Sequence, residues 1–142
     1  MRRIFIDTNI LIDFLARRES YFLHAASIMS LSSKGFQILV SSLSFATASY
    51  VLAAHHKMSP KAIKQLFENF IKICHITTVD AQTVNRSMTS GFNDFEDAMQ
   101  YFSAISAHAD VVVTRNKSDF FPAQIPVWEP QDFLNQLVVK QS

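Results

Sequence analysis

Apolar residues recur along the chain with two alternating periods. Ile4-Phe5-Ile6 is an unbroken apolar run closed by Asp7, the pattern of a buried strand. Ile10, Leu11, Phe14 and Leu15 then return at helical spacing. The chain therefore opens strand, turn, helix, with Asp7 at the junction and Thr8 or Asn9 as the expected cap. A second helical pattern runs from Tyr21 to Leu31 and stops at Lys34-Gly35, glycine being the usual helix terminator. Phe36 to Val40 predicts the second strand and Ser41 to His55 a helix rich in Ala and Ser. Ser59-Pro60 predicts a capped start for a helix through Ile71, because proline suits the first turn.

The alternation continues to the end. His75 to Val79 reads as the third strand. Asp80 caps a helix ending near Ser90-Gly91, and Asp94 opens another in which Ala98, Tyr101, Phe102 and Ile105 pack inward. Val111 to Thr114 is the fourth strand and Val127-Trp128 a short fifth. Pro122 and Pro126 bracket the loop between them, and Gln131 to Val139 closes the chain as a helix. Strands separated by helices predict an α/β fold with a parallel sheet covered on both faces. At 142 residues, with no linker or internal repeat, one domain over residues 1–142 is expected.

In such sheets ligands bind outside the carboxyl ends of the strands. Asp7 closes the first strand there, and Thr114, Asn116 and Asp119 follow the fourth. Asp94, Glu96 and Asp97 begin the helix that leads into it. Asp94 and Asp97 are three apart and share a helix face, whereas Glu96 is expected to point elsewhere. Crowded carboxylates repel one another and raise each other's pKa, so a cluster without basic neighbours asks for a cation. Oxygen ligands favour Mg²⁺ or Mn²⁺. Such ions activate water and stabilise the leaving oxygen of a phosphodiester, so hydrolysis of a nucleic-acid backbone is the expected chemistry. Taken singly, each acid has a structural reading. Asp7 and Asp94 suit caps, Asp97 suits the first turn of a helix, and Asn116 with Asp119 suits an Asx turn.

Composition narrows the field. Two glycines, and neither GxGxxG nor GxxxxGK[ST], leave no sequence sign of a dinucleotide or P-loop site. A net charge of +1 does not suggest a strong electrostatic grip on long duplexes. One cysteine, Cys74, permits no intrachain disulfide and argues against zinc beside His75. Neither a signal peptide nor a membrane span is expected, and the protein is expected to be cytoplasmic. The five histidines are scattered without motif partners and read as surface or packing residues. Phe67, Phe70, Phe92, Phe95 and Phe102 read as core. Arg115 and Lys117 flank the acids, where they either steer phosphates or are simply solvated.

Three stretches together resemble the PIN domain family: Ile4-Phe5-Ile6-Asp7-Thr8-Asn9-Ile10-Leu11, Asp94-Phe95-Glu96-Asp97-Ala98 and Val113-Thr114-Arg115-Asn116-Lys117-Ser118-Asp119-Phe120. The resemblance covers essentially the whole chain. It implies a Rossmann-like three-layer sandwich with a mostly parallel sheet of four to five strands. It further implies an endoribonuclease dependent on Mg²⁺ or Mn²⁺, often the VapC-type toxin of a toxin–antitoxin pair. RNA would then be the substrate, a protein antitoxin the partner and a homodimer the assembly. By the same resemblance Asp7, Asp97 and Asp119 fall on the metal-binding acids, and Asn116 falls where the family often carries Asp or Asn. Thr8, Asn9 and Thr114 would support the site by hydrogen bonding, and Asp94 and Asn116 would complete or orient the metal shell.

One position departs from the pattern. Many members carry a Glu in the helix after the second strand, and here Thr47 stands about where it should be. A neutral hydroxyl holds a metal less well than a carboxylate. An inactive PIN-like module that binds RNA or a protein partner is therefore the second reading. A phosphotransferase or phosphatase using Asp7 as nucleophile is the third. It is weakened by Asn9, which stands where such sites want a second acid.

Overall fold

The computed structural model describes residues 2–141, with side chains described through Leu137. Five strands form one sheet: β1 (Arg2–Ile6), β2 (Phe36–Ser41), β3 (His75–Thr77), β4 (Val111–Val113) and β5 (Val127–Trp128). The spatial order is β3-β2-β1-β4-β5 and every pairing is parallel. The expected sheet of four to five mostly parallel strands is thus five strands, all parallel.

Between them lie α1 (Thr8–Leu15), α2 (Phe22–Ser30), α3 (Ser42–His56), α4 (Pro60–Phe70), α5 (Ala81–Met88), α6 (Phe95–Ser106) and α7 (Pro130–Gln141). Two 3₁₀ turns, η1 (Leu31–Lys34) and η2 (Lys117–Phe120), complete the chain order. Among the described residues no helix is long and apolar enough to cross a membrane.

Strand side chains alternate between faces, and the core divides accordingly. Ile4, Ile6, Ile38, Val40, Val111 and Val113 pack on one side of the sheet with residues of α1, α2, α3, α4 and α7. Phe5, Leu39 and Val112 pack on the other with Tyr101 and Ala104 of α6 and Phe120 of η2. The central strand β1 is flanked on both edges, in register Ile4↔Ile38 with β2 and Ile6↔Val113 with β4. Its three apolar residues are each fully buried, so an unbroken apolar run is what this position requires.

Several boundaries differ from the pattern reading. Asp7, not Thr8 or Asn9, caps α1, its carboxylate accepting from the Thr8 backbone N–H at 2.8 Å. The helix predicted over 21–31 ends at Ser30 and tightens into η1, where Gly35 at φ 87° closes it. β3 stops at Thr77 rather than Val79, because its partner β2 ends at Ser41, which turns away to cap α3. As an edge strand it leaves Ile76 53% exposed. Phe95, expected in the core, is 40% exposed. The caps expected at Ser59, Asp80 and Asp94 are all formed, Asp80 within a reciprocal capping box.

Candidate active site

The carboxyl ends of β1 and β4 and the start of α6 meet at one edge of the sheet. Asp7 sits where β1 becomes α1, and its backbone N–H still bonds to Val113 of β4 at 3.0 Å. Its side chain is almost wholly buried. One carboxylate oxygen accepts from the Thr8 N–H. The other accepts from the Thr114 hydroxyl at 2.8 Å and, more distantly, from the Asn9 amide at 3.4 Å. Every donor to Asp7 is therefore neutral. Burial raises its pKa despite the Thr114 and Thr8 hydrogen bonds, and the charges of Asp119 and Asp94 add to the rise.

Asp97 lies in the first turn of α6, capped by Asp94, whose carboxylate accepts the Asp97 N–H at 3.0 Å. Burial pushes the Asp97 carboxyl up to about 7, with repulsion from Asp7, Asp94, Asp119 and Glu96 behind it. Glu96, expected to point elsewhere, shares this field. Its pKa is raised by burial, then by Asp94 and Asp7. Asp119 is exposed on η2, its N–H bonded to the Asn116 carbonyl at 3.0 Å. Asn116 is exposed and forms no side-chain cap. Its backbone N–H donates to the Thr114 hydroxyl at 3.1 Å. Five acids from three segments thus act on one another. The ion pairs among the described residues are those of Asp13 with Arg18 and Arg115, so no Lys or Arg neutralises the group.

Beneath Asp7 lies a polar layer that the sequence reading missed. Gln100 of α6, buried to 1% exposure, donates to the Thr8 and Ser44 hydroxyls at 2.7 Å each. Its carbonyl accepts from Ser41. Thr8 and Ser44 also bond to each other at 2.7 Å. Thr8 thus supports the site through its backbone, while its hydroxyl locks α1 to α3 and α6. The available signal was spacing: Gln100 is one turn beyond Asp97 on the inward face of α6. Thr47 is half-buried on α3, one turn past Ser44. No side-chain hydrogen bond ties it to the acids among the described residues.

Asp13 was also missed. It is 1% exposed and takes the Arg115 guanidinium on both oxygens, at 2.7 and 3.2 Å. The same guanidinium stacks 3.8 Å from the Tyr21 ring centroid. Arg115 is thereby occupied in joining the β4 exit to α1 and α2, and it is not a free phosphate-steering cation. An acid inside the apolar run Ile10-Leu11-Ile12-Asp13-Phe14-Leu15 was the signal, since a buried charge demands a partner.

A model of the PIN domain matches residues 3–118. The chain belongs to the PIN domain family. Solved structures agree on the fold. DNA-bound VapBC from Salmonella typhimurium superposes with TM-score 0.66 at 20% identity, over 92% of this chain and 99% of that one. A toxin–antitoxin complex from Klebsiella pneumoniae gives 0.64 at 23% identity, covering 89% and 97%. VapC20 from Mycobacterium tuberculosis, a sarcin–ricin-loop-cleaving toxin, gives 0.60 at 13% identity, covering 77% and 86%. No curated protein sequence matches the chain.

The donor set of this PIN domain fits a hard divalent cation in chemistry and charge. It is all oxygen, no Lys or Arg forms an ion pair with it among the described residues, and the carboxyls of Asp7 and Asp97 are raised by burial and then by the charges of neighbouring acids. It is not a closed cage. Among the described residues no three Asp, Glu, His or Cys side chains stand close enough together to hold an ion. An ion held by one or two carboxylates with water completing the shell suits that spacing, which is how Mg²⁺ is commonly bound.

Proposed function

We propose that the chain is a metal-dependent endoribonuclease of the VapC toxin kind, hydrolysing RNA phosphodiester bonds. The observation that carries this reading is the unneutralised convergence of Asp7, Asp97, Asp119, Asp94 and Glu96, with the Asp97 carboxyl pushed up to about 7. Asp7, Asp97 and Asp119 would share the holding of Mg²⁺ or Mn²⁺, one or two of them directly and the rest through water. When bound, the ion supplies charge stabilisation at the phosphate and makes water a competent nucleophile near neutral pH. Asp7 enters with its geometry set, because Thr8, Thr114 and Asn9 hold both its oxygens. The raised pKa of Asp97 reflects the cost of its charge without a cation, which a bound divalent ion would relieve. Asp94, which caps α6, and Asn116 would complete or orient the metal shell, directly or through water. No activated Ser, Cys or His stands among the acids, so a covalent enzyme intermediate is not part of the mechanism. The names of the structural neighbours support a protein antitoxin as partner. The same reading takes residues 1–142 as one PIN-like unit, cytoplasmic and homodimeric.

Asp97→Asn is expected to lower Mn²⁺-dependent cleavage of single-stranded RNA at least a hundredfold at pH 7.5, where Asp97 would be a metal ligand. Equal cleavage by the variant and the wild type would remove Asp97 from the mechanism.

A second reading is favoured by the open spacing of the acids and by Thr47 in place of a carboxylate. In it the chain is an inactive PIN module that binds RNA or a protein. Calorimetric titration separates the two: heat of Mn²⁺ binding that is lost in Asp97→Asn supports the nuclease, and no binding at millimolar Mn²⁺ supports the inactive module.

A further inference from the structure

The turn that carries Asp119 also carries two features that the acid cluster does not use. Phe121, immediately after η2, is 89% exposed, the most exposed large apolar side chain among the described residues. Lys117, the first residue of η2, is exposed and has no carboxylate partner among the described residues. Its ammonium lies 5.6 Å from the centroid of the Trp128 ring. Lys117, Phe121 and Trp128 line one cleft of about 740 Å³ together with Phe120 and Val127, and Glu129 is its only lining carboxylate. An aromatic face bared to water beside a free ammonium is costly as a surface and useful as a binding element. Nucleobases stack on such faces while cations take the neighbouring phosphates.

We propose that Phe121, Trp128 and Lys117 form a stacking subsite for a nucleotide of the single-stranded RNA that reaches the acids. The inference rests on the nuclease reading and names how its substrate is gripped. Chain position and charge support a nucleic-acid strand as the occupant. Lys117 and Phe121 stand two residues to either side of Asp119, so one short segment carries both the acid and the cleft. A strand with a phosphate near Asp119 lies within reach of the cleft, where the Lys117 ammonium complements its backbone charge. The single-strand preference follows from chemistry, since bases of a duplex are already stacked and cannot offer a face.

Trp128 is the only tryptophan of the chain, so the cleft reports on itself. The test titrates a single-stranded RNA octamer into the full chain with Ca²⁺ in place of Mn²⁺, follows tryptophan fluorescence, and verifies by gel that the RNA stays intact. Quenching is expected, with affinity about tenfold weaker in Phe121→Ala, as loss of one base–aromatic stack implies. Phe121→Tyr should retain the affinity. Lys117→Ala should flatten the salt dependence. The same octamer as a duplex should quench little. Both Phe121 and Lys117 are exposed, so these variants are expected to fold as the wild type does. Unchanged affinity in Phe121→Ala, or equal quenching by duplex and single strand, overturns the subsite. So does a wild-type dimer that Phe121→Ala converts to monomer in sedimentation, because a second copy would then cover the ring. Absent Mn²⁺-dependent cleavage with quenching and its Phe121 dependence intact would remove the nuclease and leave the subsite standing.

Discussion

At Asp97 a carboxyl raised to about 7 is a statement about stability as well as chemistry. Its folded-state pKa lies above the ordinary value, so the folded protein binds the proton more tightly than the unfolded chain does. Stability from this group is present below about pH 4 and is lost as pH rises towards 7. Asp97→Asn removes that penalty. In metal-free buffer at pH 8 it is expected to gain about 1 kcal/mol, once solvent screening of this partly exposed carboxyl is allowed for. That corresponds to a Tm about 3 °C above wild type. At pH 4 the two melting curves should coincide, and a destabilised variant at pH 8 would mean that burial and the neighbouring acids do not disfavour the Asp97 charge as described. Arg115 behaves oppositely. Arg115→Ala leaves the buried Asp13 with only Arg18 at 3.5 Å. The expected loss is about 3 kcal/mol in urea denaturation, the usual cost of orphaning a buried charge. A loss below about 1 kcal/mol would show that water replaces the guanidinium.

Among the elements, α3 ends in an arrangement that can be improved. Its C-cap Lys57 adopts φ 56°, ψ 30°, a left-handed conformation in which a side chain crowds its own backbone. The Lys57 N–H bonds to the Leu52 carbonyl in that geometry, so the conformation is required. Lys57→Gly is expected to stabilise the protein by about 0.5–1 kcal/mol, read as a raised urea midpoint without a change in m-value. Elsewhere the elements were largely legible. The spacing of Ile63, Leu66, Phe67 and Phe70, with Ser59-Pro60 ahead of them, marked α4 correctly, because caps and helical period are local properties. β3 was read two residues too long, because its length depends on where β2 leaves the sheet. Asp7 was read either as a cap or as a site acid, with Thr8 or Asn9 the expected cap of α1, and it does both: its carboxylate accepts from Thr8 of its own helix and from Thr114 across the sheet.

For the molecule as a whole, the acids make cation binding and pH inseparable. Protons compete with the metal for Asp97, so Mn²⁺ affinity should rise between pH 6 and 7 and level off above about 7. Binding to the folded state alone should raise Tm with Mn²⁺ concentration, more steeply at pH 8 than at pH 6. A Mn²⁺-dependent shift that is the same at both values would indicate a site away from the acids.

The order of strands and helices, the parallel sheet and the edge at which the acids gather could all be read from the chain. Each follows from apolar period, from capping residues and from the rule for strand ends, which act over a few neighbouring residues. The three-dimensional packing alone decided which distant polar groups meet. It set Gln100 among Thr8, Ser41 and Ser44, tied Arg115 to Asp13, brought Glu96 into the field of Asp7, and left Phe121 bare beside Lys117. These pairings join residues far apart in the chain, and no local pattern encodes a partner. What selects them is that burial makes an unsatisfied polar group or charge costly, so each finds whichever complement the fold carries to it.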